Sequence, residues 1–255
     1  MVVLKSREEI ELMRKAGRIV AAVLAGCRAY VKPGVTTREI DRLAEDIIRS
    51  HGATPSFKNY QPTGAPYPFP ASICASINDE IVHGIPGDRK LKEGDVFKLD
   101  VGAFYKGYHG DTATTIAVGK VNERARRLMD VTQKCLEAAI LVARKGNRFG
   151  DIGASIQSVA EGQGFSVVRE YTSHGVGREL HEGFSLPNFG SSGHGMLLRP
   201  GLTIALEPMI NEGRYETKIK KDGWTVATVD GKLSAQFEHT IVITDGDAEI
   251  LTRLE

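Results

Sequence analysis

Gly34-Val35-Thr36-Thr37-Arg38-Glu39-Ile40-Asp41-Arg42-Leu43-Ala44-Glu45-Asp46-Ile47-Ile48-Arg49-Ser50-His51-Gly52 reads as a short amphipathic helix with its own start and stop. Thr36 and Glu39 form a capping box, Ile40, Ala44, Ile47 and Ile48 make an apolar stripe, and Gly52 ends it. The pattern returns 112 residues later: Gly34 matches Gly146, Ile40 Ile152, Ala44 Ile156, Ile47 Val159, Ile48 Ala160 and Gly52 Gly164. Each copy follows a longer helix. The first is opened by the capping box Ser6–Glu9, carries Ile10, Met13, Ala16, Ile19 and Val20 on one face, and runs to about Tyr30; the second spans about 123–145. Each copy precedes a strand-rich stretch, about 71–118 and 166–243. Six matches between amphipathic helices can arise by coincidence. Taken as signal, they give an α+β fold of two related halves, with no linker between them. Residues 1–255 are therefore read as one domain with internal pseudosymmetry.

The 255 residues are enough to bury a core without disulfides. Lys and Arg number 33 against 32 Asp and Glu, a net charge of +1, which argues against nucleic-acid binding by bulk charge and suggests a soluble monomer. No apolar run approaches the roughly 18 residues that span a bilayer. Cys27, Cys74 and Cys135 are too few and too scattered for a disulfide framework or a thiolate zinc site, so a reducing, cytoplasmic setting is expected. Leu24-Ala25-Gly26-Cys27 has the outline of a lipoprotein cleavage box, but Glu8, Glu9 and Glu11 stand where such a signal is basic.

The chemistry begins at Val96-Phe97-Lys98-Leu99-Asp100-Val101, an alternating strand that carries an aspartate. The next strand, about 108–118, carries Asp111, and Tyr105-Lys106-Gly107-Tyr108 between them reads as a tight hairpin turn. With Lys106 and Gly107 as the loop, Asp100 falls opposite Ala113, and Asp111 points to the same face as a diagonal neighbour, Cα atoms about 7–8 Å apart. A bulge at His109-Gly110 would alter that register. Two carboxylates on one buried face repel each other unless a cation lies between them. A single strand aspartate is more often a solvent-facing edge residue.

The second half adds Thr203-Ile204-Ala205-Leu206-Glu207-Pro208, a strand ending in a carboxylate, and Ser234–Ile241, a strand with Glu238 at its centre. Asp230-Gly231 signals a hairpin just before the latter. His174 and His181 lie in a Gly-rich stretch, where a histidine alone is more often structural.

Asp100 and Asp111, then His174, Glu207 and Glu238, resemble in order and spacing the five metal ligands of the methionine aminopeptidases. Flanking phrases match as well: Asn78 to Pro86, Gly110-Asp111-Thr112, His174-Gly175-Val176-Gly177, Leu206-Glu207-Pro208-Met209 and Phe237-Glu238-His239-Thr240. The resemblance covers about residues 4–252, and the length implies a type 1 enzyme. It implies the pita-bread (creatinase/aminopeptidase-like) fold, two pseudosymmetric halves around a central antiparallel sheet, in agreement with the repeat.

The resemblance further implies that Asp111 and Glu238 bridge two divalent metals, that Asp100 chelates one, and that His174 and Glu207 bind the other. Such ligands suit Mn²⁺, Fe²⁺ or Co²⁺, with Zn²⁺ admissible. Glu207 is then the proton shuttle, and His83 and His181 bind substrate and stabilise the tetrahedral intermediate. Cys74 and Trp224 match positions of the family's methionine pocket. Tyr67 and Phe69, in Pro66-Tyr67-Pro68-Phe69-Pro70, would form a proline-stiffened wall, and Leu180 stands where some members carry Phe. The implied substrates are nascent chains and peptides that begin with methionine, with transient ribosome contact. Prolidase and aminopeptidase P share the fold and the metal logic but usually carry an extra domain, and non-catalytic relatives lose metal ligands.

Overall fold

The computed structural model describes residues 2–254. Four helices carry the repeat: α1 (Arg7–Tyr30), α2 (Thr37–Ser50), α3 (Glu123–Val142) and α4 (Phe149–Gly162). Tyr30 and Val142 end the long helices, Thr37 and Phe149 open the short ones, Ser50 and Gly162 close them, and Thr54 and Ser166 begin the strands that follow. Each pair is 112 residues apart, so the backbone keeps the spacing read from the side chains. Gly34 and Gly146 share a left-handed φ of 93° and 92°, the geometry glycine adopts without a Cβ penalty. The capping boxes of α1 and α2 both form. In the second copy Arg148 replaces the capping threonine, and Asp151 accepts from its N–H at 2.7 Å.

Each helix pair covers its own strands. The first buries Val20, Val23, Ile40 and Ile48 with Ile73, Phe97, Leu99 and Val101. The second buries Leu128, Leu136, Ile152 and Ile156 with Ile204, Leu206, Ile210 and Ile241. At roughly 1.5–3 kcal/mol per buried aliphatic side chain, these two cores hold the halves in shape.

Two antiparallel ribbons lie inside. In the first, Val96–Tyr105 pairs with Tyr108–Ala117 through Lys106 and Gly107, at φ 47° and 93°. Positive φ at both loop residues is the two-residue turn whose twist suits a hairpin. The register sets Asp100 against Ala113 and Gly102 against Asp111, with no bulge at His109-Gly110.

The second ribbon departs from the strands expected. Thr203–Leu206 and Met209–Asn211 are separate strands, as are Ser234–Gln236 and His239–Val242. Leu206 pairs with His239 and Met209 with Gln236, so one register runs across the gap and Glu207 faces Glu238 where the ladder is open. Pro208 has no N–H to offer there. Glu238 thus sits at a break between two strands, not at the centre of one. Gly231 does turn the chain, at φ 72°, but no hairpin follows. Val226–Thr228 pairs with Thr217–Ile219 and Glu80–Val82, whereas Ser234–Gln236 pairs with Met209–Asn211.

Threonine hydroxyls stitch the ribbons together. Thr112 Oγ1 donates to the Glu238 carbonyl at 2.7 Å, and Thr115 Oγ1 to the Gln236 carbonyl at 2.6 Å. Thr240 Oγ1 donates to the Asp111 carbonyl at 2.8 Å and accepts from the Asp111 N–H at 3.1 Å. The buried Lys98 amine adds a further tie, donating to the carbonyls of Asn78 and Ser234; burial pulls it down to about 7.

Helix α1 crosses the first ribbon at Gly110, where a Cβ would lie 2.7 Å from both the Ala16 carbonyl carbon and the Gly17 nitrogen. Gly110→Ala is therefore expected to destabilise the fold by about 1–3 kcal/mol, since backbone has to shift. Urea unfolding checks this, and an unchanged midpoint at unchanged slope contradicts the close approach.

Candidate metal centre

A cavity of about 330 Å³ opens between the ribbons, and Asp100, Asp111, His174, Glu207 and Glu238 line its polar side. Asp111, His174 and Glu238 offer ligand atoms that all lie within 4.8 Å of one another. His174, on the strand Ser173–Gly175, pairs with Ala205 beside Glu207. Its Nε2 lies 3.8 Å from Asp111 Oδ2 and 3.7 Å from Glu207 Oε1. Its Nδ1 contacts the Gly175 carbonyl at 2.9 Å; a carbonyl only accepts, so Nδ1 carries the proton and Nε2 keeps a free lone pair. Burial, then the neighbouring His181, pull His174 down to about 3, so the ring is neutral and these contacts are not ion pairs.

Burial raises all four carboxyls above their ordinary range. Asp100 is pushed further by Asp111 and Glu207, Glu207 by Asp111, and Glu238 by Asp111, Glu207 and Asp100. No lysine or arginine lines the cavity among the described residues. Gln236 Nε2 donates to Glu207 Oε2 at 3.0 Å, but Asp100 Oδ1 and Asp111 Oδ1 are buried without a hydrogen-bond partner. Hard oxygen donors with unused lone pairs, joined by a deprotonated imidazole nitrogen, fit a divalent cation centre.

The other wall is apolar. Cys74 stands directly opposite Asp100 in the strand register, so both project into the cavity. Burial, then Asp100 and Asp111, push its thiol up, and it remains a thiol. Phe69, Leu180 and Trp224 complete this wall, with the Phe69 and Trp224 rings edge to face at 5.1 Å. Tyr67 does not line the cavity. It lies behind Trp224, its ring 6.5 Å from the indole, because the loop turns its side chain outward. Phe57, Tyr60 and Pro62, which line the cavity, were not foreseen. The signal available was the pair of aromatics just before the proline-rich segment.

Both flanking histidines reach the site. His83 is held at a φ of 59°, edge-on to Tyr171 and Trp224, and burial pulls it down to about 4. His181 Nδ1 lies 2.6 Å from the Tyr60 hydroxyl, and its ring is 4.2 Å from that of His174. Burial lowers His181 too. A second cleft, lined by Tyr171, Thr172, Phe184 and Met209, continues outward from these histidines and Glu207.

The sequence pattern of Metallopeptidase family M24 matches residues 11–245. The "Methionine aminopeptidase 1" of Bacillus subtilis is 46% identical over 254 residues, 100% of either chain. The crystal structure of methionine aminopeptidase from Thermotoga maritima superposes with a TM-score of 0.96 at 45% identity, again over 100% of both chains. The prolidase from Pyrococcus furiosus shares the fold, with a TM-score of 0.78 at 23% identity; this chain covers 66% of it. The fold and the site are those of a metal-dependent hydrolase, and the chain belongs to metallopeptidase family M24. Within that family its place is among the methionine aminopeptidases of the bacterial type 1 form.

Carboxyls raised by burial hold protons that a bound cation displaces. Affinity for Mn²⁺ is therefore expected to rise as pH increases through neutrality. The cation-free fold binds protons more tightly than the unfolded chain, so its stability should fall as pH rises above the ordinary carboxylate range. Calorimetric titration in buffers of different ionisation heat reads the proton release, and pH-independent uptake contradicts the centre.

Proposed function

We propose that this enzyme removes an N-terminal methionine followed by a small residue, at a site that holds two divalent cations. Asp111 and Glu238 would bind both ions, Asp100 one, and His174 and Glu207 the other. Four carboxylates against two dications leave the centre neutral. Bound there, Mn²⁺, Fe²⁺, Co²⁺ or Zn²⁺ would polarise the scissile carbonyl and acidify a water. The observation that carries this reading is the union in one cavity of four carboxyls, Asp111 and Glu238 buried and Asp100 and Glu207 partly so, and a neutral imidazole with an apolar, sulfur- and aromatic-lined wall.

The chain's own groups then have definite tasks. Glu207 combines a raised carboxyl with a Gln236 amide that holds one oxygen, leaving the other to take a proton and return it to the leaving amine. His83 and His181 are neutral donors toward the substrate and the developing oxyanion. A Tyr60 hydroxyl that donates to His181 Nδ1 leaves the ring proton on Nε2. The wall of Cys74, Phe69, Leu180 and Trp224 would bury an unbranched thioether, worth roughly 1.5–3 kcal/mol. A charged first side chain would lose its hydration without a partner.

The second residue would face the crowded cations, hence the preference for Gly, Ala, Ser, Thr, Cys, Pro or Val. The acidic centre would hold the free amino group. The whole chain would act as one catalytic domain, a cytoplasmic monomer working on nascent chains in passing contact with ribosomes. Among the described residues no helix is long and apolar enough to cross a membrane.

Glu207→Gln is expected to lower kcat by at least about 100-fold while the cations stay bound. Near-normal turnover at full metal loading would move the shuttle to another group. A peptide panel varied at its first two positions tests the substrate. Met-Ala-Ser should be cut about 10–150-fold better than peptides with a short first side chain, and Met-Lys starts should hardly react. Comparable rates across Met-Ala, Leu-Ala and Lys-Ala starts would falsify the pocket assignment, and cleavage confined to Ala-Pro peptides would favour a prolidase-like activity.

A further inference from the structure

We infer that Tyr67 is a positioning residue: by fastening a proline-rich loop to the hairpin tip that carries Trp224, it sets the width of the cavity that receives the first side chain of the substrate. The inference rests on the reading of that cavity as the methionine pocket.

The loop is closed at its neck, where the Asn59 N–H donates to the Phe69 carbonyl at 2.8 Å and the Phe69 N–H to the Tyr60 carbonyl at 2.9 Å. Residues 61–68 project from that neck. They are pre-shaped: the Ala65 N–H donates to the Pro62 carbonyl at 3.1 Å, Gln61 Nε2 donates to the Ala65 carbonyl at 3.3 Å, and Pro62, Pro66 and Pro68 each fix a backbone angle. These bonds and fixed angles hold the loop in one shape, with Pro62 in the cavity wall at one end and Tyr67 at the other.

Its far end docks at three points on the tip around Asp222, Gly223 and Trp224. The Tyr67 hydroxyl donates to the Asp222 carbonyl at 2.6 Å. The Trp224 indole N–H donates back to the Tyr67 carbonyl at 3.1 Å. Pro66 lies over Gly223 so closely that a Cβ there would be 2.7 Å from its Cγ. The tip is firm in itself, because the Asp222 carboxylate accepts from the Trp224 and Thr225 N–H groups at 3.0 and 2.8 Å.

An indole has one hydrogen-bond donor, and here it is spent on the loop. With that bond in place, the ring stands between Phe69 at 5.1 Å and His83 at 6.2 Å, closing the wall. Tyr67 is 39% exposed and lines no part of the cavity, so it acts through Trp224.

The test uses the full chain loaded with Mn²⁺. Trp224 is the sole tryptophan, so fluorescence excited at the red edge, where tyrosine does not absorb, reports on this ring alone. Tyr67→Phe keeps the ring and removes the hydroxyl. It is expected to raise acrylamide quenching of Trp224 about twofold and KM for Met-Ala-Ser about three- to tenfold, with kcat held within about twofold. Preference for Met over Leu at the first position should narrow, and Tyr67→Ala should exaggerate each change. Unchanged quenching and KM in both variants overturn the inference, as does a fall in kcat at constant KM. A wild-type enzyme inert toward Met-Ala-Ser overturns the pocket reading and the specificity role together, while the quenching comparison still decides whether Tyr67 holds Trp224.

Discussion

Four carboxyl groups share one buried cavity, and each raises the energy of ionising the others. Asp100 and Asp111 come from one ribbon, Glu207 and Glu238 from the other, one from each of the four chain segments. Left to themselves, such groups would hold protons or swing to solvent. Their grip on protons is indeed raised, but they do not swing to solvent, because the turn at Lys106-Gly107 fixes one register, Pro208 opens the other, and threonine hydroxyls lock ribbon to ribbon. The two apolar cores, one under each helix pair, offset the cost of keeping this charge in place.

The glutamate ribbon shows how a strand can present two facing carboxylates without a ladder between them. Register is the same on both sides of the gap, and only the Glu207–Glu238 and Pro208–Phe237 pairings between are missing. An unbroken ladder would leave backbone groups satisfied by each other. The open pairing instead frees the Glu238 N–H to donate to the Ala113 carbonyl of the first ribbon at 2.9 Å. One local interruption thus shapes the site and joins the halves.

Much of this was legible in the residues, for identifiable reasons. The helix repeat could be read because caps, stripes and glycine stops are local signals, and its 112-residue offset recurs in the element boundaries. The partnership of Asp100 and Asp111 could be read because a two-residue turn leaves one register for the whole hairpin. Glu207 and Glu238 stand out as charges in apolar stretches, but that they face each other is not legible, since the break at Pro208 interrupts the period-two pattern that would set one register, and only the family resemblance groups them with the aspartates. The pocket wall was least legible. Residues 57–69 have no periodicity, so the prolines announce stiffness but not direction, and nothing in the residues separates Tyr67, which borders the cavity from behind, from Phe57 and Tyr60, which line it.

The four carboxyls are spread along the chain, and that spacing governs when the cavity can form. Asp100 and Asp111 emerge early in synthesis, but the cavity is completed by Glu238, which lies just before the last ribbon strand to be made. Ribbon pairing across so long a stretch of chain is slow to form as well as late to arrive. The cavity therefore takes its full set of carboxyls only once nearly all of the chain is available to fold.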